Sequence, residues 1–471
     1  MKETSQEAQP QSAQTPEIDD TMSGNDSGLY PDPTSWVLLC IYTLIVGLAT
    51  GLGAAALALI MHGIEYVVYG QHEGDVAVVT DGTTGMQRFI GIVVAGLVAG
   101  PIWAALRTKA KPIESVEAGM NGRLMPVWST AVNVFLQMAT VAAGASMGRE
   151  NAPREFGAMV ASQMSHRLRI DPHHRRILVA AAAGAGLGAI YHIPLAGAIF
   201  SLEILLGSLS ITAVMVVLAC SAIATVTAGI VVGSSPLYSP INLSEGWGNI
   251  GAALLLGVVC GALGYAFRIA SARATDKEPS GWHSAWAIPL AFTIVGVIAL
   301  WIPEVLGNGR IAATTVLMDR PLLGFAVILF IAKAVAVLVT FRSGAVGGLL
   351  TPGFALGALS GFIVGCFVQP LMPMIPLSDY AILGAAAFLS ASMAAPLFAL
   401  IVTVEFTGQN SSAYLALFLA AATAALTVAL IRALLHLPRK QAMPWNREPG
   451  QREDDSHDDK SKDGSQSEAA K

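Results

Sequence analysis

Apolar runs long enough to cross a bilayer recur along this chain, and several of them are cut by proline or glycine. A membrane span needs about 20 apolar residues at about 1.5 Å of rise each. Runs of this kind lie at roughly 36–65, 88–106, 126–147, 178–206, 211–233, 246–267, 284–304, 322–341, 345–370, 380–406 and 412–437. The composition agrees: of 471 residues, 54% are hydrophobic and 13% charged, where a soluble domain carries about 25% charged residues. The expectation is an all-α polytopic membrane protein. Pro194, Pro352 and Pro396 interrupt three of the runs. Such breaks are tolerated where the freed backbone groups are buried in protein or line a cavity. That favours a transporter core over a simple helix bundle.

The interruptions come in pairs. Pro194-Leu195 is followed by Glu203, nine positions after the proline, and Pro396-Leu397 by Glu405 at the same interval. Upstream, one segment ends at Pro153 and a similar one at Pro352. The landmarks repeat after about 200 residues, which predicts two repeats at roughly 35–235 and 245–440 within one transmembrane domain, 35–440. Paired broken helices in two halves point to a binding site between the repeats.

Residues 1–34 and 441–471 are polar and hold much of the charge, so the net charge of −5 is no partner signal. Both are expected to be disordered tails too short for a further domain. The long polar leader before Trp36 lacks a basic start, so no signal peptide is expected. Lysine and arginine concentrate in Arg107–Lys111, His166–Arg176, Arg268–Lys277 and after Arg432. The positive-inside rule puts these stretches, and with them both termini, on the cytoplasmic side of a plasma (inner) membrane. They are too short for nucleic-acid binding. Cys40, Cys220, Cys260 and Cys366 lie inside apolar runs without paired spacing, which predicts ordinary core or lipid-facing residues.

Ionisable residues within membrane runs are costly and need a reason. Arg149-Glu150 directly follows the small-residue run Val141–Gly148 and precedes Pro153, the pattern of a helix start. Free N–H groups and the positive dipole end make such a start an anion site. The Glu150 carboxylate is a tethered anion able to occupy that site when ionised and to leave it when protonated. Spacing alone equally permits a structural ion pair with Arg149 or with Arg154, one turn on. Gly347-Gly348-Leu349-Leu350-Thr351-Pro352 repeats the design without a carboxylate, either as a second anion-facing helix start or as a turn. Glu117–Gly122 reads as a loop or as a third such entrance.

Taken in order and spacing, these segments resemble the CLC family of chloride channels and chloride/proton antiporters over roughly residues 36–440. Residues 148–153, GRENAP, are close to the family's GREGP; residues 347–358, GGLLTPGFALGA, to GGxFxPxxxxGA; residues 182–204 nearly match the segment that follows GREGP. The resemblance implies an inverted-repeat bundle of tilted and broken helices, assembled as a homodimer with one anion path per subunit. It makes Glu150 the gating glutamate and Leu349 and Leu350 donors of anion-binding N–H groups. The candidate anion contacts are Asn121, Gly122, Arg149, Asn151, Gly348, Leu349 and Leu350, with Arg154 as a partner of the gate. Chloride or a similar small monovalent anion is the implied cargo, with protons as a second one.

Several positions depart from the family. Asn121 stands for the filter serine of GSGIP, and its amide is still a donor. Asn151 replaces the glycine after the gate, and the proline comes one residue late. Arg154-Glu155 falls where the family has uncharged residues, and Leu350 replaces a phenylalanine. Ile204 occupies the internal proton-transfer position of antiporters, with Glu203 one residue earlier. No tyrosine follows Tyr414, and counting puts the filter tyrosine near His436. A fluoride-exporting branch also alters its serine and internal glutamate, so fluoride stays open, as does the choice between channel and antiporter.

Two other classes compete. A cation-coupled organic-anion transporter would share the broken helices, but no second carboxylate cluster offers a cation site. A membrane enzyme has little support: Gly144-Ala145-Ser146-Met147-Gly148 matches a nucleophile elbow in letters, but no strand precedes it. Small residues for close helix packing are the better account of that stretch, and His192 reads as a polar residue satisfied within the bundle. No cofactor or metal is implied.

Overall fold

A computed structural model describes residues 33–70, 82–233, 236–238, 241–244 and 246–436. Apart from Pro33 and Thr34, which already belong to the first helix, the expected tails at 1–34 and 441–471 lie outside the described residues. The first half contains α1 (Pro33–Tyr69), α2 (Gly85–Lys109), α3 (Val116–Met120) and α4 (Val127–Ala142). It continues with α5 (Asn151–Arg167), α6 (Pro172–Tyr191), α7 (Pro194–Ile199, extended by a π-helical turn over Phe200–Leu206) and α8 (Ile211–Val232). The second half contains α9 (Trp247–Asp276), α10 (Ser284–Ala299), α11 (Arg310–Thr314) and α12 (Leu323–Arg342). It ends with α13 (Leu350–Val368), α14 (Leu377–Met393), α15 (Pro396–Thr407) and α16 (Tyr414–Leu434). Among the described residues, eight helices are long and apolar enough to cross a membrane.

Each interrupting proline opens a helix instead of kinking one. Pro194 and Pro396 are the first residues of α7 and α15, where a missing N–H costs nothing. Pro352 sits in the first turn of α13. The run 178–206 is therefore two helices, separated at His192, and 380–406 is two, separated at Ala394. Both break residues adopt the left-handed conformation, at φ +56° and +50°. Cβ crowding makes that state costly for a non-glycine residue, so its occurrence at matching places in the two halves marks a shared design.

The halves grip each other reciprocally. The Glu203 carboxylate accepts the N–H groups of Leu397 (3.2 Å) and Phe398 (2.7 Å) at the start of α15. Glu405 accepts those of Leu195 (3.1 Å) and Ala196 (2.7 Å) at the start of α7. Contacts in which residue i of one half meets j of the other, and j meets i, signify a two-fold relation. Each carboxylate takes two of the free N–H groups at one helix start of the opposite half, an arrangement favoured by the helix dipole.

Two helices run through the interior. In α6, every residue from Ile177 to Tyr191 is buried; in α14, every residue from Asp379 to Met393 is. A helix apolar all round belongs inside a bundle. Small residues let neighbours approach: a Cβ at Gly186 would lie 2.1 Å from the Pro153 carbonyl oxygen, which brings α6 against the start of α5. The basic stretches expected to set topology fall at helix ends, at Arg107 and Lys109 of α2, Arg273 of α9 and Arg432 of α16. Cys220 and Cys260 are buried, Cys366 is half-buried and Cys40 exposed, all as free thiols.

Candidate anion site

The two similar segments meet. Gly148 and Gly348 form an antiparallel bridge, N–H to carbonyl at 2.7 Å in one direction and 2.9 Å in the other. This pairing sets the start of α5 beside the start of α13. Glu150 is the residue immediately before α5, and its side chain is 2% exposed. One carboxylate oxygen, Oε1, accepts the Leu350 backbone N–H at 2.6 Å. Oε2 accepts the Tyr191 hydroxyl at 3.1 Å and lies 3.4 Å from the Thr351 hydroxyl. The carboxylate thus sits at the helix start of the other half, held by neutral donors.

Backbone without side chains makes room for it. A Cβ at Gly148 would stand 2.1 Å from Glu150 Oε2, and one at Gly348 2.0 Å from Oε1. The Arg149 guanidinium donates to Met61 Sδ at 3.4 Å and lies 4.8 Å from the Tyr191 ring centroid, a cation–π contact that holds the phenol in place. Arg154, 5% exposed, lies with its guanidinium 4.4 Å from the Phe200 ring centroid. Glu150 and Arg154 line one small cavity together with Leu187, Phe200, Gly347, Gly348, Leu349, Leu350, Met393 and Phe398. Among the described residues Arg154 is not within ion-pair distance of Glu150, although it attracts that carboxylate through space.

A family model described as voltage gated chloride channel matches residues 90–429, well over half of the chain. The chain belongs to that family. Among its relatives, the voltage-gated ClC-type chloride channel ClcB of Salmonella typhimurium is 29% identical over 386 residues, 79% of this chain and 91% of that protein. A putative chloride channel protein ClcB-like of Ralstonia nicotianae is also 29% identical, over 77% of this chain and 87% of its own. The fold is that of the CLC structures. A slow cyanobacterial Cl-/H+ antiporter superposes with a TM-score of 0.72 at 21% identity, covering 85% of this chain and 95% of its own. A CLC-type fluoride/proton antiporter gives 0.68 at 18% identity, covering 84% and 96%.

Within this CLC fold the expected site residues separate into two groups. Glu150, Gly348, Leu349, Leu350 and Arg154 come together at the cavity. The N–H of Gly348 is taken by Gly148, so its part is close approach and not donation. Asn121 and Gly122 are exposed and lie outside the cavity. The reading of 117–122 as a third helix entrance is overturned: α3 ends there, and Asn121 caps its carboxyl end with its N–H on Glu117 and Gly119 carbonyls. A helix end that presents carbonyls repels anions. Asn151 turns its amide away from the Glu150 carboxylate, donating to Gln137 (3.0 Å) and Glu155 (2.8 Å). Asn133 and Gln137 also donate to Glu155, at 2.7 and 3.0 Å, which gives that half-buried carboxylate a full set of donors. His436 lies exposed in the turn after α16 and does not line the cavity.

Two further expectations fail locally. Residues 143–150 are an irregular connection between α4 and α5, so Gly144–Gly148 are not a helix-packing stripe; their freedom serves the bridge to Gly348. His192 has an Nδ1 that is buried without a hydrogen-bond partner, so it is not satisfied by the bundle. Sequence reasoning missed Tyr191. Its signal was the near-matching segment 182–204, but which way a phenol points at the end of α6 depends on the left-handed turn at His192.

Proposed function

We propose that this chain transports a small monovalent anion, chloride first, through the cavity beside Glu150, and that the Glu150 carboxylate is its gate. One observation carries the reading: the Glu150 carboxyl group occupies a set of neutral donors, a backbone N–H at a helix start and two hydroxyls, that suits a free anion equally well. An anion entering there trades hydration for these donors. Protonation removes the charge that makes each hydrogen bond to the carboxylate strong, and the vacated donors become available to the cargo. The chloride-channel names of the relatives support the same cargo.

The decisive experiment is efflux from proteoliposomes with wild type and Glu150→Gln. The variant is expected to pass chloride at a rate independent of pH and to move no protons. A steep acid activation retained by Glu150→Gln would sink the gate assignment. Exchange for protons is the second reading, and luminal pH recorded during the same efflux distinguishes it; fluoride and nitrate run in parallel rank the cargo. Ile204 at the internal proton-transfer position tilts the proposal toward a passive, proton-gated path. A homodimer in the inner membrane, with both termini cytoplasmic, completes the proposal; it rests on the family resemblance and on the basic helix ends.

A further inference from the structure

Arg154 is a buried cation to which the protein gives no hydrogen-bond acceptor, although the carboxylates of Glu150 and Glu155 attract it through space. Its guanidinium remains protonated in any protein environment and offers five N–H donors. Yet among the described residues it forms no hydrogen bond and no ion pair, and its Nε is buried without a partner. Other buried cations are provided for: Lys333 Nζ donates to the Val305 and Gly307 carbonyls at 2.9 and 2.8 Å, and Arg88 donates to the Thr83 carbonyl at 2.8 Å. Leaving a guanidinium N–H without an acceptor in a low-dielectric interior costs the desolvation of that donor, even where carboxylates attract the charge through space.

The two carboxylates near Arg154 are engaged elsewhere. Glu150 is spent on Leu350, Tyr191 and Thr351. Glu155 is spent on Asn133, Gln137 and Asn151. The ring of Phe200 holds the guanidinium on one face, at 4.4 Å. Of the other side chains on the shared cavity, Leu187, Met393 and Phe398 carry no oxygen acceptor, and none takes a hydrogen bond from Arg154.

We infer that the Arg154 guanidinium is a permanent cationic ligand for the transported anion, forming a second anion position in the cavity next to the Glu150 gate. This rests on the anion-transport reading above and adds to it the residue that binds cargo while the gate is shut. An anion on Arg154 supplies the missing acceptor, and the cation–π contact keeps the guanidinium plane aimed without neutralising it. Arg154 then takes over donation that neither exposed Asn121 nor exposed His436 delivers to this cavity.

The test is bromide binding to the purified full-length protein in a halide-free buffer, followed by calorimetry. Arg154→Gln is expected to weaken bromide by roughly tenfold to a hundredfold, the worth of hydrogen bonds from a charged donor. Arg154→Lys, which keeps the charge, is expected to bind more tightly than the glutamine variant. The loss should persist when Glu150→Gln is already present. If instead it vanishes in that background, Arg154 serves only as a counter-ion to the gate and the inference falls. It falls too if Arg154→Gln binds bromide as wild type does. Anomalous diffraction from wild-type crystals in bromide needs no variant: a peak within hydrogen-bond reach of the guanidinium supports the inference, and its absence overturns it. The two readings fail separately. Gated chloride efflux with unaltered binding in Arg154→Gln removes only the Arg154 site, whereas wild type that neither binds bromide nor passes chloride removes the transport reading with it.

Discussion

Substituting alanine for Gly348 should prop the gate open while leaving the gating carboxylate in the protein. The added Cβ would stand 2.0 Å from Glu150 Oε1 and 2.1 Å from its Cδ, so carboxylate and methyl cannot share the slot. The backbone has no quarrel with alanine, because Gly348 is not among the positive-φ residues and its bridge to Gly148 uses main-chain atoms alone. The flexible glutamate must therefore move. In moving, it gives up the Leu350 N–H at 2.6 Å and the Tyr191 hydroxyl at 3.1 Å. Hydrogen bonds to a charged group contribute about 1.5–3 kcal/mol each, so the closed position loses about 3–6 kcal/mol. At about 1.4 kcal/mol per decade, its occupancy falls by roughly two to four orders of magnitude. Chloride efflux from proteoliposomes at about pH 7.5 should then match or exceed wild-type efflux near pH 4.5, in the ordinary glutamate range. Retention of the wild-type acid-to-neutral ratio, in variant protein that elutes as wild type from a sizing column, would refute the slot as the place where the carboxylate closes the path.

Tyr191→Phe removes one hydroxyl from the carboxylate and leaves Leu350 in place. A loss of about 1.5 kcal/mol predicts roughly tenfold more leak at neutral pH with acid activation retained; efflux rates at two pH values check it. Glu203→Gln and Glu405→Gln each weaken a carboxylate that receives two N–H groups across the halves. Each should cost about 1 kcal/mol of stability, as lost helix caps do, seen as a lower unfolding temperature in detergent with the pH profile of flux unchanged. A shifted pH profile would show that these caps belong to the gate.

Much of the architecture was legible because membrane burial imposes strict rules on sequence. The apolar runs, the prolines and the carboxylate nine positions after each of two prolines marked helices, helix openings and the repeat. What those carboxylates do was not legible: Glu203 and Glu405 cap helices of the opposite half, and no local spacing encodes a partner about 190 to 210 residues away. Asn121 and Asn151 misled for a related reason. A short polar side chain is a donor in any setting, and only the end of α3 and the Glu155 cluster decide that neither amide meets the cavity.

The sequence alone marked an all-α membrane protein resembling the CLC family, with paired proline breaks and a glutamate at a helix start. The spans and helix starts follow from hydropathy and from proline's missing N–H, which act within a turn or two of chain, whereas the CLC resemblance rested on the order and spacing of whole segments. Tertiary packing alone sets the Glu150 carboxylate on Leu350 of the other half, brings Tyr191 to steady it, and leaves Arg154 beside the same cavity with its Nε–H unbonded. Those outcomes depend on how closely two helix starts approach through Gly148 and Gly348. That distance is set by packing across the whole bundle, and no stretch of sequence contains it.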